Sequence, residues 1–264
     1  MIKTLTAALA AVLAMGAAQA DWRALDPDDT LMIETTRGVI IVEMRPDLAP
    51  LAVARVKQLA REGFYDGLLF HRVVDRFVDQ TGNPNNRDGG TSGHPDLPPE
   101  FMTRLRPADI VPAAQASDGL SGFLGATPVA AEAVARRRDD GTIRVWGAYC
   151  PGVAGMGRQA DEGSANSEVF FMREAARRLD RAYTVWGTAV EGLDVIRAMA
   201  VGEPPADPDR MIRVRVAADL PQAERPNIEV MSGRALEARI AAVRRARGAD
   251  FTVCDMSLAT RRSR

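Results

Sequence analysis

The sequence predicts a mainly β protein built as a closed antiparallel barrel with helices at its ends. Two observations lead to this fold class. Short apolar stretches of strand character recur along the chain and are separated by Gly, Asn, Asp and Pro residues. Only a few stretches have the apolar spacing of an amphipathic helix, and no internal repeat is visible. Many short strands with few helices are typical of a closed antiparallel barrel.

The first part of the chain supplies four predicted strands, at residues 31–35, 39–44, 69–74 and 77–80. Gly38 lies in the turn between the first two strands, where positive φ is needed. A helix is predicted to open at Pro46 and to end at Gly63. Four of its residues share one apolar face: Val53, Val56, Leu59 and Ala60.

The pattern loosens over residues 113–142, which contain small residues, three consecutive arginines and an Asp-Asp-Gly sequence. We interpret this segment as an inserted loop region on the surface. Strand patterning then returns. The predicted strands are residues 143–148, 153–156, 169–172, 184–190 and 211–217, with a short helix at 194–200.

The C-terminal residues 219–264 are predicted to form a strand-helix-strand appendage. Residues 228–231 and 251–254 are its strand candidates. Between them, Ser232 begins an amphipathic helix that ends at Gly248 and has Leu236, Ile240 and Val243 on one face. Because this apolar face must be buried, we expect the appendage to pack on the barrel.

Composition and charge exclude several function classes. The 264 residues carry a formal net charge of −1, which argues against nucleic acid as the main partner. The chain has two histidines, His71 and His94, and neither has nearby cysteines, so no zinc site is predicted. Ser164 and Ser167 lack a His/Asp arrangement, which excludes a serine hydrolase.

The N-terminus has the pattern of a secretion signal. Lys3 precedes an apolar run at residues 5–14, and small residues at 18 and 20 form a cleavage site. A membrane anchor is the alternative, but the apolar run is short for a bilayer span. We therefore expect a mature chain that begins at Asp21 and resides in the periplasm without stable membrane insertion. In that oxidising compartment Cys150 and Cys254 can pair, although two separate buried thiols remain an alternative.

The stretch from Phe70 to Gln80 carries the strongest indication of chemistry. It fixes Arg72 and Gln80 among apolar residues that alternate as in a strand. Arginine keeps its charge at any working pH and cannot act as a general base, but it can present fixed donors to a carbonyl or an amide nitrogen. Such a donor in an apolar groove suits a reaction that moves no proton and breaks no bond, such as rotation about a prolyl peptide bond.

Seven motifs in a fixed order give residues 31–217 a resemblance to the cyclophilin-type peptidyl-prolyl isomerases of the exported bacterial kind. The motifs are Gly63-Phe64-Tyr65-Asp66-Gly67 leading to Phe70-His71-Arg72, Phe77 and Gln80 before Gly82-Asn83-Pro84, Leu97-Pro98-Pro99-Glu100-Phe101, Gly152-Val153-Ala154-Gly155-Met156, Ser167-Glu168-Val169-Phe170-Phe171, Tyr183-Thr184-Val185-Trp186-Gly187 and Glu191-Gly192-Leu193-Asp194-Val195.

The resemblance implies an eight-stranded antiparallel barrel capped by two helices, with the substrate in a groove on its outside. It implies Arg72 as the catalytic residue and requires no cofactor or metal. The positions implied to bind substrate are Phe77, Val78, Gln80, Gly157, Glu168, Phe170, Leu179 and Tyr183. Among these, Phe77, Phe170 and Leu179 correspond to the walls of the proline pocket.

Four positions depart from the family pattern. Arg178 stands where many eukaryotic members have tryptophan, Tyr183 replaces a histidine, Glu168 a glutamine and Arg158 an asparagine. These changes concern substrate preference and inhibitor sensitivity more than the reaction.

The predicted organisation is therefore a signal peptide at residues 1–20, an isomerase domain at 21–218 and the appendage at 219–264. The predicted function is acceleration of Xaa-Pro isomerisation in exported proteins, which assists their folding, with proline-containing polypeptides as partners and a monomeric protein. The alternative is a non-catalytic peptide-binding or chaperone module on the same fold, because a fold alone does not define a function.

Overall fold

The computed structural model describes residues 21–87, 91–117 and 119–262, so the predicted signal peptide lies outside the described residues. These described ranges contain three α-helices: α1 (Pro50–Arg61), α2 (Leu193–Ala198) and α3 (Gly233–Arg247). The strands are β1 (Trp22–Ala24), β2 (Thr30–Thr35), β3 (Gly38–Met44), β4 (Arg72–Val74), β5 (Val78–Thr81), β6 (Thr103–Leu105), β7 (Val111–Gln115), β8 (Gly119–Leu124), β9 (Thr127–Glu132), β10 (Ile143–Gly147), β11 (Val153–Met156), β12 (Val169–Met172), β13 (Val185–Glu191), β14 (Met211–Val216), β15 (Ile228–Met231) and β16 (Thr260–Arg262).

Eight of these strands form one curled antiparallel sheet in the order β14-β2-β3-β13-β11-β12-β5-β4. Its two edges meet where Leu69 pairs with Arg210 and where the Phe70 amide donates to the Asp209 carbonyl at 2.8 Å. The fold class predicted from the sequence is confirmed in its architecture: the protein is mainly β, with an eight-stranded antiparallel barrel.

The barrel core joins strand residues to both capping helices. Trp186 and Phe171 are fully buried and meet edge to face at 6.1 Å between ring centroids. The α1 face predicted from the sequence lies in this cluster, as does Ile196 of α2. Helix α1 begins at Pro50 rather than Pro46, because the chain first makes a turn in which the Leu48 amide donates to the Arg45 carbonyl.

Residues 113–142 are not an irregular surface loop. Strands β7, β8 and β9 join β6 and β10 in a five-stranded antiparallel sheet, in the order β6-β10-β9-β8-β7. The sequence did not predict these strands, because they are rich in Gly and Ala, which have low strand propensity. These small residues are required by close packing: a Cβ on Gly122 would lie 2.2 Å from the Val111 carbonyl oxygen. Apolar residues of this sheet, such as Phe123 and Val145, are buried in a second core cluster.

The appendage covers this second core. Leu236 and Ile240 of α3 are buried in it beside Ile110. Strands β15 and β16 form a small sheet with β1, in the order β1-β15-β16. The prediction of a final strand at 251–254 is wrong: residues Val253–Asp255 form a 3₁₀ turn, and the last strand is β16.

A disulfide joins this appendage to the rest of the protein. Cys150 and Cys254 are bonded with their Sγ atoms 1.99 Å apart, and their Cα atoms are separated by 4.8 Å. Cys150 lies shortly after the end of β10 at Gly147, and Cys254 lies in the 3₁₀ turn Val253–Asp255. Across the described ranges of the chain, none of the helices has both the length and the apolar character needed to span a membrane.

Candidate active site

All nine residues that the sequence singled out as catalytic or substrate-binding line one groove of about 320 Å³ on the outer face of the barrel. The groove is formed by β4, β5, the end of β11, the start of β12 and the segment before β13. Its lining residues are Arg72, Phe77, Val78, Gln80, Gly157, Arg158, Gln159, Glu168, Phe170, Leu179 and Tyr183.

Strand pairing holds the arginine and the glutamine together. Arg72 on β4 lies directly opposite Gln80 on β5, and its Nη1 donates to Gln80 Oε1 at 3.1 Å. The Nε of Arg72 donates to Glu203 Oε2 at 2.7 Å. These two contacts fix the plane of the guanidinium, so its remaining N–H groups are oriented before a substrate arrives.

Glu168 lies beneath the polar end of the groove. Gln80 Nε2 and Asn83 Nδ2 donate to its two carboxylate oxygens in short hydrogen bonds. Its side chain is 8% exposed, and His71 Nε2 lies 3.9 Å from Oε2. The carboxylate therefore orients the amide of Gln80, whose oxygen in turn accepts from Arg72. Gly157 permits this arrangement, because a Cβ there would lie 2.4 Å from Glu168 Oε1.

The apolar end of the groove is built on Phe170 of β12. The Phe170 ring stacks on Tyr149 at 5.7 Å and meets Tyr183 edge to face at 5.9 Å. Burial raises the pKa of the Tyr149 hydroxyl well above its ordinary value, so this ring remains neutral. Gly155 leaves room for the stack, because a Cβ there would lie 2.4 Å from Phe170 Cζ.

Two further arginines lie on aromatic walls of the groove. The Arg158 guanidinium is 4.5 Å from the centroid of the Tyr183 ring, and that of Arg178 is 4.5 Å from the centroid of the Phe77 ring. Both distances are within the range of a cation–π contact.

Sequence reasoning missed three contributors to this site. Glu203 is 131 positions from Arg72 along the chain, and no local pattern links the two. Tyr149 is buried and stacks on Phe170, and Gln159 lies outside the seven matching motifs, shortly after the one that ends at Met156. Within the described residues, no group of three or more His, Cys, Asp and Glu side chains is placed to hold a metal ion.

Comparison with known proteins defines the class. The family described as "Cyclophilin type peptidyl-prolyl cis-trans isomerase/CLD" matches residues 30–216, which is most of the chain. The chain therefore belongs to the cyclophilin-type peptidyl-prolyl cis-trans isomerases, and it is an isomerase of that type.

Individual relatives agree with this assignment. The chain is similar to a probable peptidyl-prolyl cis-trans isomerase of Brucella suis, with 31% identity over 231 residues, covering 81% of this chain and 95% of that protein. It is also similar to the crystal structure of cyclophilin AquaCyp293 from Hirschia baltica, with a TM-score of 0.82 and 32% identity. That similarity covers 92% of this chain and 94% of the other, a larger part of this chain than the family match.

Proposed function

We propose that Arg72 catalyses rotation about Xaa-Pro bonds of exported proteins in the periplasm and thereby assists their folding. The observation that carries this proposal is the position of the Arg72 guanidinium. It is held by Gln80 at 3.1 Å, in the same groove as the apolar side chains of Phe77, Phe170 and Leu179.

The reaction needs electrostatic assistance rather than proton transfer. A peptide bond resists rotation by about 18–20 kcal/mol because the nitrogen lone pair is delocalised into the carbonyl. At the twisted transition state the lone pair is localised on the prolyl nitrogen. A guanidinium N–H that donates to this nitrogen binds the transition state more strongly than the planar ground state, which is the requirement for catalysis.

The remaining groove residues hold the substrate while the bond rotates. Phe77, Phe170 and Leu179 accept the proline ring, and Gln80 contacts the substrate backbone. With the ring held, the preceding carbonyl rotates. Lowering the barrier by roughly 6 kcal/mol accelerates exchange about 10⁴-fold. The preorganised donor and the matching pocket together would provide this stabilisation.

Two features support an exported protein. The first 20 residues have the sequence pattern of a cleavable secretion signal. Cys150 and Cys254 are joined in a disulfide, and such bonds persist in oxidising compartments. Proline-containing polypeptides that pass through the same compartment are the proposed clients.

A prolyl isomerisation assay of the chain from Asp21, with a protease-free peptide substrate, tests the proposal. We expect fast exchange by the parent and a loss of about two orders of magnitude in Arg72→Ala, because one preorganised donor is removed. Peptide binding should be largely kept. If Arg72→Ala exchanges the peptide as fast as the parent, the role of Arg72 is refuted. If the folded parent binds the peptide without accelerating its exchange, the protein is a peptide-binding module. Fractionation of cells that express the full chain tests export.

A further inference from the structure

The groove has an excess of positive charge that the reaction itself does not require. Arg158 and Arg178 both line it or cover its walls, and neither forms an ion pair within the part of the chain that the structure describes. We infer that these two arginines give the groove a preference for peptides with Asp or Glu beside the Xaa-Pro bond. This inference rests on the proposed function of the groove and specifies its substrate class.

Arg178 is held at the proline-pocket end. It lies in the 3₁₀ turn Arg177–Leu179, immediately before the pocket residue Leu179. Its guanidinium covers the Phe77 ring, with 4.5 Å between the guanidinium carbon and the ring centroid. An aromatic face attracts a cation without neutralising it, so the charge remains available to a substrate carboxylate.

Arg158 is held more firmly, on the Tyr183 wall of the groove. Its Nε and Nη2 donate to the Ala182 carbonyl at 3.2 and 3.0 Å, and its Nη1 donates to the Gln159 carbonyl at 2.9 Å. The guanidinium is thereby fixed over Tyr183, with its carbon 4.5 Å from the ring centroid. All three partners are neutral, so they fix the position of the charge and leave it uncompensated.

Two acidic side chains at the groove itself, Glu168 and Glu203, are already engaged. Glu168 accepts from Gln80 and Asn83 and is nearly buried. Glu203 is paired with Arg72 at 2.7 Å. A substrate therefore meets two positive charges, one over the Phe77 ring and one over the Tyr183 ring. Asp or Glu on either side of the Xaa-Pro bond supplies the matching negative charge.

Peptides that differ only in charge test the inference. The reference peptide has an Ala-Pro bond flanked by alanines. In the test peptides, the alanine on one side or the other is replaced by Asp, Asn or Lys. We measure kcat/KM for each peptide by exchange NMR at low and high salt. For the parent we expect Asp peptides to be exchanged about two- to fivefold faster than Asn peptides per arginine engaged, the range of an exposed ion pair. High salt should reduce the difference, because it screens exposed charges.

Variants identify the residues responsible. Arg158→Gln and Arg178→Gln should each reduce the Asp/Asn ratio, Arg178→Lys should retain it, and Arg178→Glu should favour Lys peptides. The matched control is Arg244→Gln, because Arg244 also covers an aromatic ring, Phe251 at 6.0 Å, but belongs to α3. Its Asp/Asn ratio should equal that of the parent.

The outcomes distinguish the charge preference from the isomerase activity. A parent that exchanges Asn peptides but shows no preference for Asp overturns this inference and leaves the proposed function intact. A preference that survives both Gln substitutions also overturns it. A parent that exchanges none of the peptides refutes the proposed function, and the charge preference with it.

Discussion

Arg72 and Glu203 form an ion pair in which Nε lies 2.7 Å from Oε2. Backbone hydrogen bonds of the preceding residue place Glu203 at this position. Gly202 pairs with Val73, the neighbour of Arg72, through an amide-to-carbonyl bond in each direction, at 2.8 and 2.9 Å. The loop after Gly202 then turns tightly, so that a Cβ on Gly202 would lie only 2.4 Å from the Cα of Pro205. The guanidinium is therefore held from one side by Gln80 and from the other by Glu203.

Removing this second contact should slow the reaction. We expect Glu203→Ala to lower kcat/KM by about two- to fivefold, the worth of one exposed ion pair, chiefly through kcat because the guanidinium loses orientation. Glu203→Gln should retain more activity, since its amide oxygen can still accept from Nε. Glu34→Ala is the matched control, because Glu34 pairs with Arg213 at 2.7 Å in the strand pair β2–β14. Unchanged or faster exchange by Glu203→Ala would contradict a positioning role.

A methyl group behind the apolar wall should disturb the proline pocket. In Gly155→Ala the new Cβ would lie 2.4 Å from Phe170 Cζ and 2.7 Å from the Tyr149 hydroxyl oxygen. We expect the free energy of unfolding to fall by about 1–3 kcal/mol, as in overpacked cores, and KM to rise because Phe170 is displaced. Urea unfolding and peptide kinetics measure the two effects. Gly163→Ala is the control, because its nearest neighbour would be 3.6 Å away. Equal effects of both substitutions would show that the contact with Phe170 is not the cause.

The disulfide should contribute to stability through the loop that it closes. The two cysteines are separated by 104 positions, and cross-links of this kind typically stabilise proteins by about 2–4 kcal/mol. We expect Cys254→Ser to lower the free energy of unfolding by this amount in urea titrations. Reduction by dithiothreitol should lower it similarly in the parent and leave Cys254→Ser unchanged. A parent whose unfolding midpoint is unaffected by reduction would disprove the contribution.

Asp209 should make stability depend on acid pH. Burial acts to raise the pKa of this carboxyl, but hydrogen bonds from Thr36, the Ala200 amide and Arg37 outweigh it and lower the pKa below its ordinary value of 3.8. In acid the unfolded chain therefore binds the proton more readily than the folded protein. The contribution of Asp209 is complete above its ordinary pKa and is lost as pH falls toward the folded pKa.

Asp209→Asn checks this dependence. The parent should lose stability more steeply than the variant as pH is lowered through and below 3.8, and the two curves should run parallel at neutral pH. Urea midpoints at a series of pH values measure both slopes. Equal slopes in acid would mean that Asp209 has the same pKa in the folded and unfolded chain.

The barrel strands could be predicted from the sequence because their signal is local. Residues 153–156 and 169–172 were predicted with the bounds that β11 and β12 have in the structure. Val153 and Val169 begin these stretches, and all eight residues are buried, as in strands covered on both sides. The motif order indicated the family resemblance, and the resemblance implied that Arg72 and Phe170 share one groove. The structure places both in the lining of one groove, although they lie on different strands.

The second sheet and the ion pair of Arg72 could not be predicted for physical reasons. Gly122 of β8 and the alanines of β7 and β9 lack the bulk that marks a strand, and Gly122 is needed for the close approach of β7 and β8. Glu203 is exposed and isolated in sequence, and only the bridge between Val73 and Gly202 brings it to the groove. Such non-local pairings leave no periodic pattern in the chain.

The pairing of β1 with β15 has a consequence for the order in which the protein folds. Trp22 faces Met231 and Ala24 faces Glu229, so the first described strand is completed by one of the last. The strands of the eight-stranded barrel all lie within residues 30–216. Because a chain emerges from its N-terminus, β1 has no partner in this pair until residues 228–231 have emerged. We expect refolding to show an early phase that forms the barrel and a later phase that pairs β1 with β15.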